Sequence, residues 1–278
     1  MIPASFEYVK AGSVGDALRL LAEHGDGAKI LAGGHSLIPM MKLRLATPSV
    51  LVDIAGIPQL DRVSVGGSRV TIGALTKHAT LAASEALRDA APVLWDAANQ
   101  LGDPQVRNRG TIGGAAAHGD PSADYPAVLL ALDATFTVAG RDGERDVKAA
   151  DFFQGMFATA LGAGELVTRI AFDAAPRSAY VKYHHPASHY AVVGVAAVLA
   201  ADGPRVAVTG VGDSAFRARG VERALQGVAF DDAQAVAAAC AGTARGVDAR
   251  SDTFASAAYR TAMADVFAAR AVTQAASR

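Results

Sequence analysis

A short apolar run, Lys29 to Leu31, passes straight into Ala32, Gly33, Gly34, His35 and Ser36, and then into Leu37, Met40 and Met41 at helical spacing. Strand, glycine turn and helix in that order constrain the fold more than any other feature. Adjacent glycines allow backbone conformations that other residues avoid, and a helix opening there leaves its first N–H groups without intrahelical partners. Such a turn offers bare backbone donors to an anion, reinforced by the helix dipole. Ser36 is placed to cap the helix and to donate its hydroxyl. A second turn of similar composition, Thr111, Ile112, Gly113, Gly114 and Ala115, predicts a second cradle, and two cradles together suit a pyrophosphate. Either Gly-Gly pair alone also fits an ordinary tight turn.

The surrounding pattern mixes helices and strands. Ser13 with Asp16 reads as a capping box before Val14, Ala17, Leu18 and Leu21, giving a helix to His24 that Gly25 and Gly27 end. Val50 to Ile54 reads as a strand, and Val63, Val65, Val70 and Ile72 alternate around Gly66 and Gly67 as a hairpin. Helices are expected over Thr76 to Leu87 and Ala90 to Leu101. Gly102 to Pro126, with five glycines and three prolines, reads as a long irregular segment. Strands follow at Thr135 to Val138, Tyr180 to Tyr183, Tyr190 to Leu199 and Arg205 to Val211, with a final helix over Ala257 to Ala275. A boundary near Ala174 to Arg177 predicts two domains, 1–176 and 177–278, the first divided into about 1–55 and 56–176.

Several classes of function find no support. The formal charge is −1, with no long basic run, so nucleic acid is not an expected partner. The longest apolar stretch, Tyr190 to Ala201, has twelve residues, short of the ~20 that a membrane helix needs. With no secretory pattern at the start, a cytoplasmic location is expected, peripheral at the membrane's inner face at most, through a complex. Cys240 is the sole cysteine, so any iron–sulfur centre must sit on another chain. No Gly-Lys pair signals a P-loop, and no HExxH or G-x-S-x-G signals a hydrolase. Gly210, Gly212 and Ala215 sketch a dinucleotide fingerprint, but Phe216 to Gly220 makes a poor first helix. His184 and His185, adjacent on a strand, point to opposite faces and cannot both ligate one metal simply. Asp124, before Tyr125 and Pro126, suits either a ribose hydroxyl or a helix cap.

AGGHSLIPMMKLRLATPSVLVDI, from Ala32 to Ile54, resembles the first FAD signature of the medium subunits of the xanthine dehydrogenase and aerobic carbon monoxide dehydrogenase family, the molybdenum hydroxylases. TIGGAAAHGDPSADYPA, Thr111 to Ala127, resembles the second, and the likeness extends to both ends of the chain. The resemblance implies an α+β fold: a two-part FAD-binding domain of the vanillyl-alcohol-oxidase (PCMH) type, then a smaller α+β C-terminal domain. It implies FAD as cofactor. Ala32, Gly33, Gly34, His35, Ser36, Leu37, Thr111, Ile112, Gly113, Gly114 and Ala115 would lie at the pyrophosphate, Asp124 at the ribose or ribitol, and Lys182 and Tyr190 near the isoalloxazine ring. No catalytic acid or base and no metal ligand is assigned. The implied partners are a large molybdenum-cofactor subunit and a small 2Fe-2S subunit, in a dimer of heterotrimers passing electrons through FAD to an external acceptor. Two departures stand out. Ala115 replaces a common asparagine, leaving its backbone amide as the expected donor, and Tyr183 to His189 is histidine-rich where the family carries basic and acidic residues. A stand-alone flavoenzyme of the same fold and a non-catalytic nucleotide-binding module are the alternative readings.

Overall fold

The computed structural model describes residues 1–278. Its N-terminal unit is a parallel three-stranded sheet in the order β1 (Glu7–Lys10), β3 (Val50–Asp53), β2 (Ala28–Leu31), with α1 (Val14–His24) packed on it. Half of the expected capping box forms: Ser13 Oγ accepts from the Asp16 amide at 3.0 Å, while the Asp16 carboxylate accepts from the Gly12 amide at 3.1 Å, one residue before the N-cap. Beyond β2 the chain turns through the first glycine pair into α2 (Leu37–Lys42). Ser36 sits at the N-cap, but its hydroxyl makes no capping bond. The expected capping role is therefore not realised.

A five-stranded antiparallel sheet follows, ordered β4 (Val63–Gly66), β5 (Arg69–Gly73), β10 (Leu166–Asp173), β6 (Thr135–Gly140), β7 (Gly143–Lys148). The predicted Thr76–Leu87 helix is two helices, α3 (His78–Ala83) and α4 (Glu85–Ala90). Ser84 separates them in extended backbone and caps the second through its hydroxyl. Next come α5 (Pro92–Gln100), α6 (Pro104–Arg107), α7 (Ile112–His118) and α8 (Asp124–Ala131). The last three overturn the irregular reading of Gly102 to Pro126. Asp103 and Thr111 are side-chain N-caps and Pro104 opens a helix, so the turn-forming composition marks helix starts rather than loop. Large apolar residues are scarce in α7 because it packs by close backbone approach. A Cβ on Gly113 would lie 2.7 Å from the Ala74 carbonyl oxygen. Short α9 (Ala149–Phe152) and the strand pair β8 (Phe153–Gly155) and β9 (Ala158–Thr159) complete this part.

The C-terminal part is a four-stranded antiparallel sheet, β11 (Ser178–His184), β12 (Ala191–Ala200), β13 (Gly203–Thr209), β14 (Phe216–Arg217), with helices α10 (Arg219–Ala224), α11 (Ala233–Ala239) and α12 (Ala257–Ala276). The uninterrupted apolar run is explained by β12 being buried on both faces. Ala196 and Val198 join the core of α5, α8 and the five-stranded sheet, while Val193, Val195 and Ala197 pack against α12. Gly210 belongs to this packing rather than to a dinucleotide turn. Its φ is +86°, a Cβ would meet the carbonyls of Ala191 and Val192, and a strand follows instead of a helix. No helix is long and apolar enough to cross a membrane.

Candidate functional site

A cleft of ≈ 680 Å³ opens where the N-terminal sheet, α7 and the loop before β12 meet. That size falls within the ~300–1,000 Å³ usual for small-molecule and cofactor sites. Both glycine turns line it, together with Asp124, Tyr190 and the segment Leu161 to Val167. Of the predicted site residues, Ile112 and Lys182 alone do not face it; both are buried behind its wall.

The two turns differ in their free donors. At the first, none of the backbone N–H groups from Ala32 to Leu37 donates to a protein acceptor; the next amide, Ile38, bonds the Gly34 carbonyl at 2.9 Å. Gly34 takes φ +76°, the left-handed conformation that lets consecutive N–H groups converge. Six unpaired backbone donors therefore stand at one rim of the cleft, chemistry that suits an anion. At the second turn the amides are engaged from Ile112 onward, and only Thr111 N–H lacks an acceptor. Ile112 donates to Thr76 at 3.0 Å, Gly113 to Ala74 at 2.9 Å, Gly114 to Thr111 Oγ1 at 3.2 Å, and Ala115 to the Thr111 carbonyl at 2.9 Å. The expected second cradle of free amides is therefore absent, and the Ala115 amide, expected to donate to ligand, closes the helix instead. Thr111, Gly114 and Ala115 still line the cleft.

The second turn also supports the first. A Cβ on Gly33 would collide with the Arg109 carbonyl oxygen and sit 2.9 Å from the Gly110 Cα, so glycine there permits backbone contact between the turns. Gly114 in turn faces Ala32.

Asp124 opens α8, fully buried, and its carboxylate is held by Tyr180 OH at 2.5 Å and Lys182 Nζ at 2.9 Å. Burial pushes its carboxyl up against the pull of Lys182. Gly194 makes room for the Tyr180 hydroxyl on its way across the sheet. Tyr190 stands half-exposed at the cleft, its phenol pushed up to about 12 by burial and by Asp120 and Asp124, so it remains a neutral donor. Cys240 is buried and its thiol is raised to about 12, which leaves it inert.

His78 is a cleft residue that the sequence pattern does not single out. It begins α3 and stacks against Gly110; its Nδ1 lies 3.1 Å from the buried Tyr125 hydroxyl. Burial, with the nearby charges of His35 and Arg107, lowers it to about 4. The ring is therefore neutral at pH 7 and shares one hydrogen bond with the Tyr125 phenol through Nδ1. A lone histidine in Thr-Lys-His-Ala-Thr carries no periodic signal, because its partners lie on α7's approach and on α8. Phe157, packed on the His118 ring at 5.1 Å, lines the cleft and was equally unmarked.

Unpaired amides suited to a diphosphate, and an apolar wall ending in an aromatic residue, fit a dinucleotide with a flat ring system. The comparisons with known proteins agree. Residues 4–173 match the family model of the FAD binding domain in molybdopterin dehydrogenase, and residues 178–275 match that of the CO dehydrogenase flavoprotein C-terminal domain. The carbon monoxide dehydrogenase medium chain of Hydrogenophaga pseudoflava is 42% identical, covering 100% of this chain and 99% of the relative. The glyceraldehyde dehydrogenase medium chain of Sulfolobus acidocaldarius is 40% identical over 84% of this chain and 85% of its own. Among solved structures, carbon monoxide dehydrogenase from H. pseudoflava lacking the Mo-pyranopterin moiety of the molybdenum cofactor superposes with a TM-score of 0.94 at 42% identity, covering 100% and 99% of the two chains. With the cradle, the two-domain fold and both family models in agreement, the chain belongs to the FAD-binding medium subunits of the molybdenum hydroxylases, oxidoreductase subunits that carry the flavin.

Proposed function

We propose that this chain receives electrons from 2Fe-2S clusters on a small partner subunit, supplied by a molybdenum-cofactor large subunit, and passes them through FAD in the cleft to an external acceptor. The full assembly is a dimer of heterotrimers, working in the cytoplasm, in which this chain contributes a unit over 1–176 and a second over 177–278. The observation that carries the reading is the run of six unpaired backbone N–H groups from Ala32 to Leu37. Such a run stabilises a diphosphate without a basic side chain, so the cofactor's negative charge is met by dipoles rather than a mobile cation. FAD, when bound, supplies the redox chemistry of its ring. The chain's residues bind and orient it: the first turn takes the diphosphate, Thr111 and Gly114 flank it, and Tyr190 stands where the ring end is expected. Asp124 acts here through Tyr180 and Lys182, with its carboxylate directed to them.

The oxidised substrate is selected on the molybdenum subunit. The relatives fit this, since similar medium chains come from complexes named for carbon monoxide and for glyceraldehyde. The test is purification of the complex with its partner chains. We expect one FAD per medium chain, and flavin bleaching by substrate only when the large and small subunits are present. A colourless protein that releases no flavin on denaturation overturns the reading. Bleaching by substrate in the isolated chain would instead favour a stand-alone flavoenzyme.

A further inference from the structure

Lys182 is used away from the cleft wall. Its side chain is fully buried and its Nζ donates to three acceptors from separate parts of the fold: the Gln100 carbonyl at the end of α5 at 2.9 Å, the Asp124 carboxylate at 2.9 Å, and the His189 carbonyl at 2.9 Å. Three protons meet three acceptors, so the ammonium is complete. The first two place the cation favourably, between a helix C-terminus and a carboxylate. The third belongs to the residue immediately before Tyr190, which sits in left-handed backbone at φ +59°. The hydrogen bonds that shape this loop are otherwise internal. His185 N–H donates to the Tyr190 carbonyl, His189 N–H to the His185 carbonyl, and the Ala187 and Ser188 amides to His185 Nδ1. Beyond the His185 ring resting on Phe254 and the His189 ring packed edge-on against His184, the loop is held at the His189 carbonyl and at Ala191, whose amide donates to the Ser122 carbonyl.

We propose that Lys182 is a positioning residue: by tying the His189 carbonyl to α5 and α8 it sets where Tyr190 stands at the cleft, and with it the aromatic wall that bound FAD meets. This rests on the cleft being the FAD site. Removing the ammonium would free the loop tip while leaving the Ala32–Leu37 donors untouched, because none of the bonds of Lys182 reaches that turn.

The test uses the full chain with Lys182→Met, and with Lys182→Met combined with Asp124→Asn so that no buried carboxylate is left unpaired should the single variant fold poorly. Hydrogen exchange by mass spectrometry over His185 to Tyr190 should quicken on the order of tenfold or more, as for loss of one charge-assisted hydrogen bond, with the first glycine turn unchanged and FAD still bound. The fluorescence of bound FAD should shift in the same direction as in Tyr190→Ala, and adding Tyr190→Ala to Lys182→Met should change it no further. Unaltered exchange in the loop, or additive fluorescence changes, overturns the role of Lys182 and leaves the FAD reading standing. Unchanged fluorescence in Tyr190→Ala overturns the inference by removing the residue being positioned. A chain that never binds FAD overturns the proposed function itself, and the exchange measurement is then read on the flavin-free chain.

Discussion

The two glycine turns look alike in sequence and do opposite work. Ala32 to Leu37 leaves six backbone donors unpaired and ends in a short helix with no side-chain cap, whereas Ile112 to Ala115 spend their amides on Thr76, Ala74 and Thr111. One leaves its donors free, as the proposed cofactor site requires, and the other uses nearly all of its own within the fold. Backbone donors left free for a ligand cannot also hold their own turn, so the neighbouring, more completely bonded turn supplies the rigidity. Gly33 against Arg109 and Gly113 against Ala74 are the contacts that pass it along.

The sharpest way to break this contrast is Gly113→Asp. A Cβ 2.7 Å from the Ala74 carbonyl oxygen and a buried carboxylate should together cost on the order of 3 kcal/mol or more, unfolding the α7 packing and losing flavin as a consequence. A Gly113→Asp chain with wild-type Tm but no flavin would instead make Gly113 a ligand contact.

His78 supports the same turn. Its pKa is lowered in the fold, from 6.5 to about 4, so the unfolded chain binds the extra proton between those values and stability must fall as pH drops through that window. Lowering pH from 7 to 4 should cost about 3 kcal/mol through this group alone. The check is urea unfolding at both pH values for wild type and for His78→Asn, whose amide can either donate to or accept from Tyr125. Equal pH dependence in the two proteins would show that His78 is not the titrating group.

Gly33→Ala addresses the first turn. It should cost about 1–3 kcal/mol by forcing the turns apart, and flavin content should fall further than the loss in Tm explains. If FAD stays stoichiometric, the contact of Gly33 with Arg109 does not shape the cradle.

The smallest effects separate the caps. Thr111→Ala should cost about 1 kcal/mol and lower Tm by a few degrees, because its Oγ1 caps α7. Ser36→Ala should stay within about 0.5 kcal/mol, since its hydroxyl caps nothing. A weakened FAD affinity in Ser36→Ala, measured by equilibrium titration, would then report a ligand contact. Equal destabilisation by both would erase the distinction between the turns.

Much of the fold was legible in local pattern. The Ser13 cap of the first helix, the strand before Ala32, the hairpin around Gly66 and the final helix follow from periodicity and turn chemistry over a few residues, and all four form. The errors came where packing, not propensity, decides. Gly102 to Pro126 lacks large apolar residues because its helices approach neighbouring backbone closely, and periodicity cannot register a glycine used for approach. His78 and Phe157 escaped because their neighbours come from distant segments.

The order of strand, glycine turn and helix, and the extended signatures around both turns, are properties of the chain written locally, and they were sufficient to indicate the cofactor and the family. Which amides remain free is not local. The partners that consume the second turn's donors, Ala74 and Thr76, reach it only after the intervening helices fold back, and Lys182 meets Gln100, Asp124 and His189 only when the C-terminal sheet closes on α5 and α8. Hydrogen-bond donors are identical in sequence whether paired or unpaired. Only the tertiary structure separates a turn whose donors stay free from one whose donors are used within the fold.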